Sequence, residues 1–249
     1  LQYRLVNGKI VIPVVVNGLY RTAAENISLA QIQSQIDVLN RDFNASNSDF
    51  ANIPSVFSGV AANVGITFEL DAVYRQSTKK TSWGTRDAMK KSSQGGLNPT
   101  SPSTKLNLWV CTIGGGILGY AQFPGGSLAT DGVVVDSRYF GTVGTATAPY
   151  NLGRTATHEV GHWLNLRHIW GDATCGSDLV SDTPTHNTAN YGIPSFPHYS
   201  TCTGNPIEMT MNFMDYTDDA GMYMFSNGQK ARMLALFAAG GARNSFAQP

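Results

Sequence analysis

His158-Glu159-Val160-Gly161-His162 sets two imidazoles four residues apart, with a carboxylate beside the first. On an α-helix, residues four apart share a face. Both rings can then aim a nitrogen at one point about 2.0–2.1 Å away, the zinc–nitrogen distance. Glu159 lies one step round the helix, where it can reach a water at the ion but not the ion itself. His168 is a third imidazole, but a helix continued over the ten residues from His158 would have risen about 15 Å. The chain must leave the helix after His162 and turn back. Asn165 stands three residues on, and Asn is one of the few non-glycine residues that visit positive φ at modest cost. Three imidazoles with a fourth position open to water form the donor set of a catalytic zinc. With 5 His in 249 residues, a chance His-Glu-x-x-His is expected roughly 0.002 times. An ordinary amphipathic helix with incidental histidines is therefore set aside.

The rest of the chain has to hold this trio. Its length fits one domain. Charge is balanced, 17 basic against 17 acidic residues, which excludes the basic surface of a nucleic-acid binder. With 42% hydrophobic and 14% charged residues, disorder is excluded as well. No apolar run approaches the ~20 residues of a membrane span, so no membrane insertion is expected. No signal peptide opens the chain, and Leu1 in place of an initiator Met makes a processed product the expectation.

Residues 9–16 are β-branched and apolar, and Pro13 among them predicts an edge strand or a bulged one. The spacing of Leu29, Ile32, Ile36, Leu39 and Phe43 predicts a helix over 28–43, with Ser28 and Gln31 as a capping box. Residues 66–70 alternate like a half-buried strand, and 106–110 and 132–135 are further strands. The trio's own helix is expected over 155–164, and a last helix begins near Ser226. Residues 75–104 read as a polar, exposed excursion. After residue 168 periodicity fades for about sixty residues, a stretch that needs a disulfide, an ion or cleft contacts to hold it. Cys175 and Cys202 lie in loop-like sequence and are paired here, with Cys111 a buried thiol; three free thiols in a reducing compartment is the alternative. Read alone, Met214 is core filler and 178–184 an Asx-turn loop, while a packing role for Tyr216 and a solvated loop charge at Asp218 or Asp219 stand open beside the functional readings. His186 and His198 read as surface residues.

Residues 158–168 resemble the metzincin signature HExxHxxGxxH, with Asn165 where Gly is usual. The Gly-rich 114–126 with Leu118-Gly119-Tyr120-Ala121, the segment 178–184, and Asn212-Phe213-Met214-Asp215-Tyr216 extend the likeness over most of the chain. Together they resemble the pappalysin family of metzincin metallopeptidases. The resemblance implies an α+β zincin. Residues 1–168 would hold a twisted mixed five-stranded sheet, a backing helix and the active-site helix. Residues 169–249 would form an irregular C-terminal subdomain with the Met-turn and the last helix, completing one catalytic domain around a horizontal cleft.

The resemblance also implies roles. His158, His162 and His168 would hold zinc, Glu159 would be the general base, and Tyr216 a mobile phenol at the oxyanion. Met214 would floor the ligand histidines in a tight turn. Leu118, Gly119 and Tyr120 would belong to an edge strand that pairs with an extended substrate. Asp218 and Asp219 would stand at the specificity-pocket wall and favour Arg or Lys at P1′. Asp178, Val180 and Thr183 would bind calcium. The implied protein is a secreted, monomeric zinc endopeptidase acting on proteins or peptides, held latent by its own pro-segment. Two rivals remain. A zinc-bearing but non-catalytic adhesion or binding module would have no use for Glu159. A gluzincin-type peptidase would need a distant Glu ligand, and Glu25, Glu69 and Glu208 lack the helical context.

Overall fold

A computed structural model describes residues 5–6 and 9–247. The β-branched run Lys9–Tyr20 is strand β2, and it lies inside the sheet, not at its edge. Strand β3 (Ile66–Ser77) runs parallel to it from Ile10 to Tyr20. Strand β4 (Leu106–Cys111) joins the opposite side only from Val14 onward. Pro13, which can donate nothing to a ladder, thus precedes the start of the β4 pairing and, among the described residues, is flanked by β3 alone. The register slips between Val14 and Val15, where a bulge was the expected alternative. Strand β6 (Val133–Asp136) is parallel to β4, and β5 (Gly119–Ala121) closes the far edge antiparallel to β6. The order is β3-β2-β4-β6-β5, the expected five-stranded mixed sheet. A two-residue strand β1 (Leu5–Val6) pairs with the start of β2.

Helix α1 (Leu29–Asp42) backs this sheet through Ile32, Ile36, Leu39 and the capping Phe43, whose ring meets Phe68 and Phe225 at 5.1 and 4.9 Å. Leu29 departs from the expected face and is 59% exposed. Ser28 caps the helix by accepting from the Gln31 N–H at 3.1 Å. The capping box stays half-made because the Gln31 amide spans to Ser137 O, Phe140 O and Thr145 Oγ1, tying α1 to the loop after β6. Helix α2 (Ser55–Ser58) is a single turn. Helix α3 (Arg154–Trp163) carries the first two histidines, and α4 (Asn227–Leu234) has its complete capping box of Ser226 and Gln229.

Alternate residues of β4 and β6 divide between two cores, as a period of two demands. Leu108, Val110, Val133 and Val135 join the main core, which also takes in α1, α3 and Phe213, Met214 and Phe225. Trp109, Cys111 and Val134 pack with Leu19, Trp83, Met89 and Ile113 on the other face. Part of the 75–104 excursion is therefore a cover and not solvated surface. Lys90 is buried there, donating to Thr130 O at 2.7 Å and pairing with Asp87 at 3.0 Å. Cys175 and Cys202 form the expected disulfide, and Cys111 is a buried free thiol. A crosslink of this span is worth roughly 2–4 kcal/mol to a loop-rich segment.

Candidate active site

Asp219 starts the helix that matters most. Its Oδ2 accepts from the N–H of Leu152 at 2.9 Å and of Arg154 at 3.2 Å, just after the left-handed Gly153. A carboxylate at a helix N-terminus satisfies orphan donors and complements the dipole. The Arg154 guanidinium reaches both Asp49 oxygens, Asp42 Oδ1 at 3.3 Å and Asp219 O at 3.0 Å. Thr157 Oγ1 donates to Asp42 Oδ2 at 2.8 Å. Burial, against the pull of Arg154, pushes the Asp42 carboxyl up to about 6. All ten residues of α3 are buried, so this end is fixed before the histidines appear.

The chain leaves α3 where the sequence required. Asn165 has φ +74°, and the Leu166 N–H donates back to Gly161 O at 2.9 Å. Arg232 Nε donates to Asn165 O at 2.7 Å and clamps the turn from α4. His168 then returns to the other two histidines. His162 Nε2 lies 3.1 Å from both His158 Nε2 and His168 Nε2. Tetrahedral ligands around one zinc sit about 3.3 Å apart, so the spacing fits a shared ion. Each Nδ1 has its own acceptor: Phe213 O at 2.6 Å, Leu166 O at 2.7 Å and Asp172 Oδ1 at 2.6 Å. The Nδ1 atoms carry the protons, and the three Nε2 lone pairs converge. Burial and the neighbouring imidazoles hold His158 well below the usual range, and bring His162 down to about 4. Both are neutral donors at neutral pH, as a metal requires.

Met214 lies beneath this cluster in a tight turn. Its N–H donates to Asn212 Oδ1 at 2.9 Å, and its carbonyl accepts from Ile169 N–H at 3.1 Å. A Cβ at Gly161 would stand 2.6 Å from Met214 Sδ, so any larger residue there would have to push the Met214 side chain aside. Glu159 is buried beside a cavity of about 290 Å³ bordered by His158, Tyr216, Leu118 and Gly119. A Cβ on Gly119 would approach Val134 O to 2.7 Å and Glu159 Cγ to 3.3 Å, so the edge strand crosses close over this carboxylate. Burial alone pushes the Glu159 carboxyl up to about 8. Tyr216 is 39% exposed, its ring 4.8 Å from His168 and 4.7 Å from Trp170. Burial and the nearby Glu159 push its phenol up to about 12.

The other expected site residues separate. Asp219 borders the cavity and Asp218 does not. Tyr120 turns to the second core, its hydroxyl donating to Asp87 at 2.9 Å. Asp178, Val180 and Thr183 do come together: Thr183 Oγ1 lies 2.7 and 2.9 Å from the Asp178 oxygens and 3.1 Å from Val180 O. His186 is no surface residue but fully buried; its Nε2 accepts from Met209 N–H at 3.0 Å and its Nδ1 faces Asp215 Oδ2 at 3.3 Å. His198 is partly buried, with Nδ1 3.0 Å from Glu208 Oε1. Asp172, Arg154 and Gly161 are the contributors that sequence reasoning missed.

The family profile Peptidase_M43, described as pregnancy-associated plasma protein-A, matches residues 112–238, which span this constellation from the edge strand to the last helix. The chain belongs to the pappalysin family of metallopeptidases. An extracellular metalloprotease of Pyricularia oryzae is 34% identical over 223 residues, covering 87% of this chain and 70% of that protein. Among solved structures, Tannerella forsythia mature mirolysin in complex with a cleaved peptide is 45% identical, with a TM-score of 0.92 and 96% of each chain covered. A promirolysin mutant from the same organism is 45% identical at a TM-score of 0.93, covering 96% of this chain and 84% of the other. The fold is thus an α+β metzincin, and this pappalysin is a metalloprotease, not a binding module. The family implies zinc, and the histidine trio is positioned to hold it.

Proposed function

We propose that this pappalysin is a secreted endopeptidase that cuts protein chains ahead of Arg or Lys, with His158, His162 and His168 holding zinc and Glu159 as general base. The observation that carries the reading is the convergence of three Nε2 atoms beside a buried carboxylate, under the free edge of β5. Zinc, when bound, acidifies water and polarises a carbonyl. Glu159 takes the proton of the attacking water and returns it to the departing amine nitrogen. The edge strand at Leu118 and Gly119 offers backbone groups to an extended peptide. Casein hydrolysis that a zinc chelator abolishes is the expected result; hydrolysis indifferent to metal removal, or none from the zinc-loaded protein, refutes it.

Tyr216 serves as the oxyanion donor. A phenol pushed up to about 12 keeps its proton at working pH and can donate. Tyr216→Phe is expected to lower kcat on the order of 10²-fold with KM little changed, the loss typical of one oxyanion donor. Single-turnover kinetics on a fluorogenic peptide measures this, and wild-type kcat in the variant refutes the role.

Asp219 sets the P1′ preference, because it borders the cavity while the charge of Arg154 is taken up by Asp42 and Asp49. Burial pushes the Asp219 carboxyl up to about 6. The protonated form carries no charge, so the preference for Arg over Leu at P1′ should shrink as pH falls through 6. In Asp219→Asn it should be weak at every pH. Peptide-library profiling at two pH values reads both effects, and an unaltered basic preference in the variant moves the assignment to Asp218.

Calcium is assigned to Asp178, Val180 and Thr183. That loop docks on α4, since Asp182 accepts from Ser226 Oγ at 2.7 Å and Gly228 N–H at 2.8 Å. Calcium added to EDTA-treated, zinc-restored protein should raise the melting temperature, and no change defeats the assignment. Relatives named extracellular metalloproteases and a disulfide suited to an oxidising compartment support secretion. The promirolysin structure supports latency through a pro-segment, and the chain is read as acting as a monomer.

A further inference from the structure

We infer that Asp172 is the positioning residue of the third ligand, fixing the tautomer and aim of His168 and so setting how tightly the trio holds its ion. The inference rests on the metal-binding reading of the trio. His158 and His162 are buried and give their Nδ1 protons to main-chain carbonyls, which no side-chain change removes. His168 alone relies on a side chain: its Nδ1 lies 2.6 Å from Asp172 Oδ1, and that carboxylate is 66% exposed.

The surroundings leave this single contact to decide the ring. Trp170 stacks flat on His168, centroids 4.4 Å apart and planes 6° from parallel, which sets the ring plane. Stacking does not choose which nitrogen carries the proton. An acceptor at Nδ1 does, because it puts the proton there and leaves the Nε2 lone pair facing His162. A carboxylate acceptor also makes the imidazole a more basic ligand. The backbone is built to bring Asp172 round. Its φ is +57°, in the left-handed region, directly after Gly171 at φ +65°. A Cβ on Gly171 would meet the Ser177 backbone at 2.5 Å, so the turn packs closely on the following loop.

The test is a zinc titration of apo-protein against a chromophoric chelator. Asp172→Gly deletes the carboxylate with no penalty at positive φ. Asp172→Asn keeps a neutral acceptor, and Asp37→Asn removes a charge from the exposed face of α1 as a control. Asp172→Gly is expected to weaken zinc about 10–100-fold, as loss of an outer-shell partner does. Asp172→Asn should fall between it and wild type, and Asp37→Asn should match wild type. Melting temperatures of the apo-proteins should agree, which a purely structural role for Asp172 would not allow. Zinc affinity of Asp172→Gly within twofold of wild type overturns the inference while the metal reading stands. Wild-type protein that takes up no stoichiometric zinc overturns both.

Discussion

Glu159→Gln is expected to lower kcat by about 10²–10⁴-fold, the usual worth of a general base, or about 3–5 kcal/mol of barrier. Zinc content and the cleft should stay intact. Glutamine fills the same volume but takes no proton from water at working pH. Among the described residues, no hydrogen-bond donor holds the Glu159 side chain, so the substitution breaks no native contact. Its surroundings give a second readout of opposite sign. The folded carboxyl is pushed up to about 8 by burial, whereas an unfolded glutamate titrates near 4.3. A raised carboxyl destabilises the folded state increasingly as pH climbs from the unfolded value to the folded one. Metal-free Glu159→Gln should therefore melt above metal-free wild type at pH 8, and the gap should close towards pH 4. With a dication beside the carboxylate the advantage should shrink, because a bound cation inverts the local preference. A variant that is dead but also less stable when metal-free would mark Glu159 as structural. A variant with normal turnover would remove it from the reaction altogether.

The histidine trio was legible because two of its rings share one helical face and the third follows a turn whose one special residue, Asn165, adopts the φ the geometry demanded. These are local relations, and local geometry is what spacing encodes. The failures are tertiary. Pro13 left an edge strand or a bulged one open, and the register slip between Val14 and Val15 is the bulge; the edge half fails, because β4 arrives only one residue after the proline and makes β2 central. Lys90 lay in a polar stretch, yet it is buried, since Asp87 and Thr130 O satisfy its ammonium. His186 lies at zero exposure because donors and acceptors twenty to thirty residues away enclose it. Asp218 and Asp219 are indistinguishable in sequence; only the return of that loop to the start of α3 gives the second its donors and its place on the cavity. Asp172 carried no signal at all, since its partner is recognised only once Trp170 and the Gly171 turn have been placed.

Removing zinc with dipicolinate is expected to abolish proteolysis, by about 10³-fold or more given the several kcal/mol a metal contributes to such a transition state. One equivalent of zinc should restore it. The site's electrostatics make the metal-free state awkward. Three Nε2 lone pairs are held at 3.1 Å spacing with their protons committed elsewhere, so no imidazole can donate to its neighbour. Protonation offers little relief, because burial keeps His158 and His162 from charging at neutral pH. The ion is the natural partner for those lone pairs, and it binds without first displacing protons. A ligand present at 1,000 times its dissociation constant stabilises the fold by about 4 kcal/mol. In a domain of this size that corresponds to a melting temperature higher by roughly 8–16 °C. EGTA, which strips calcium far more readily than zinc, should shift melting through the 178–183 loop and leave turnover at fixed zinc largely intact. The two chelators thus separate the chemistry of the histidines from the stiffness of the loop. Undiminished proteolysis by protein proven free of metal would dissolve the link between the trio and the reaction.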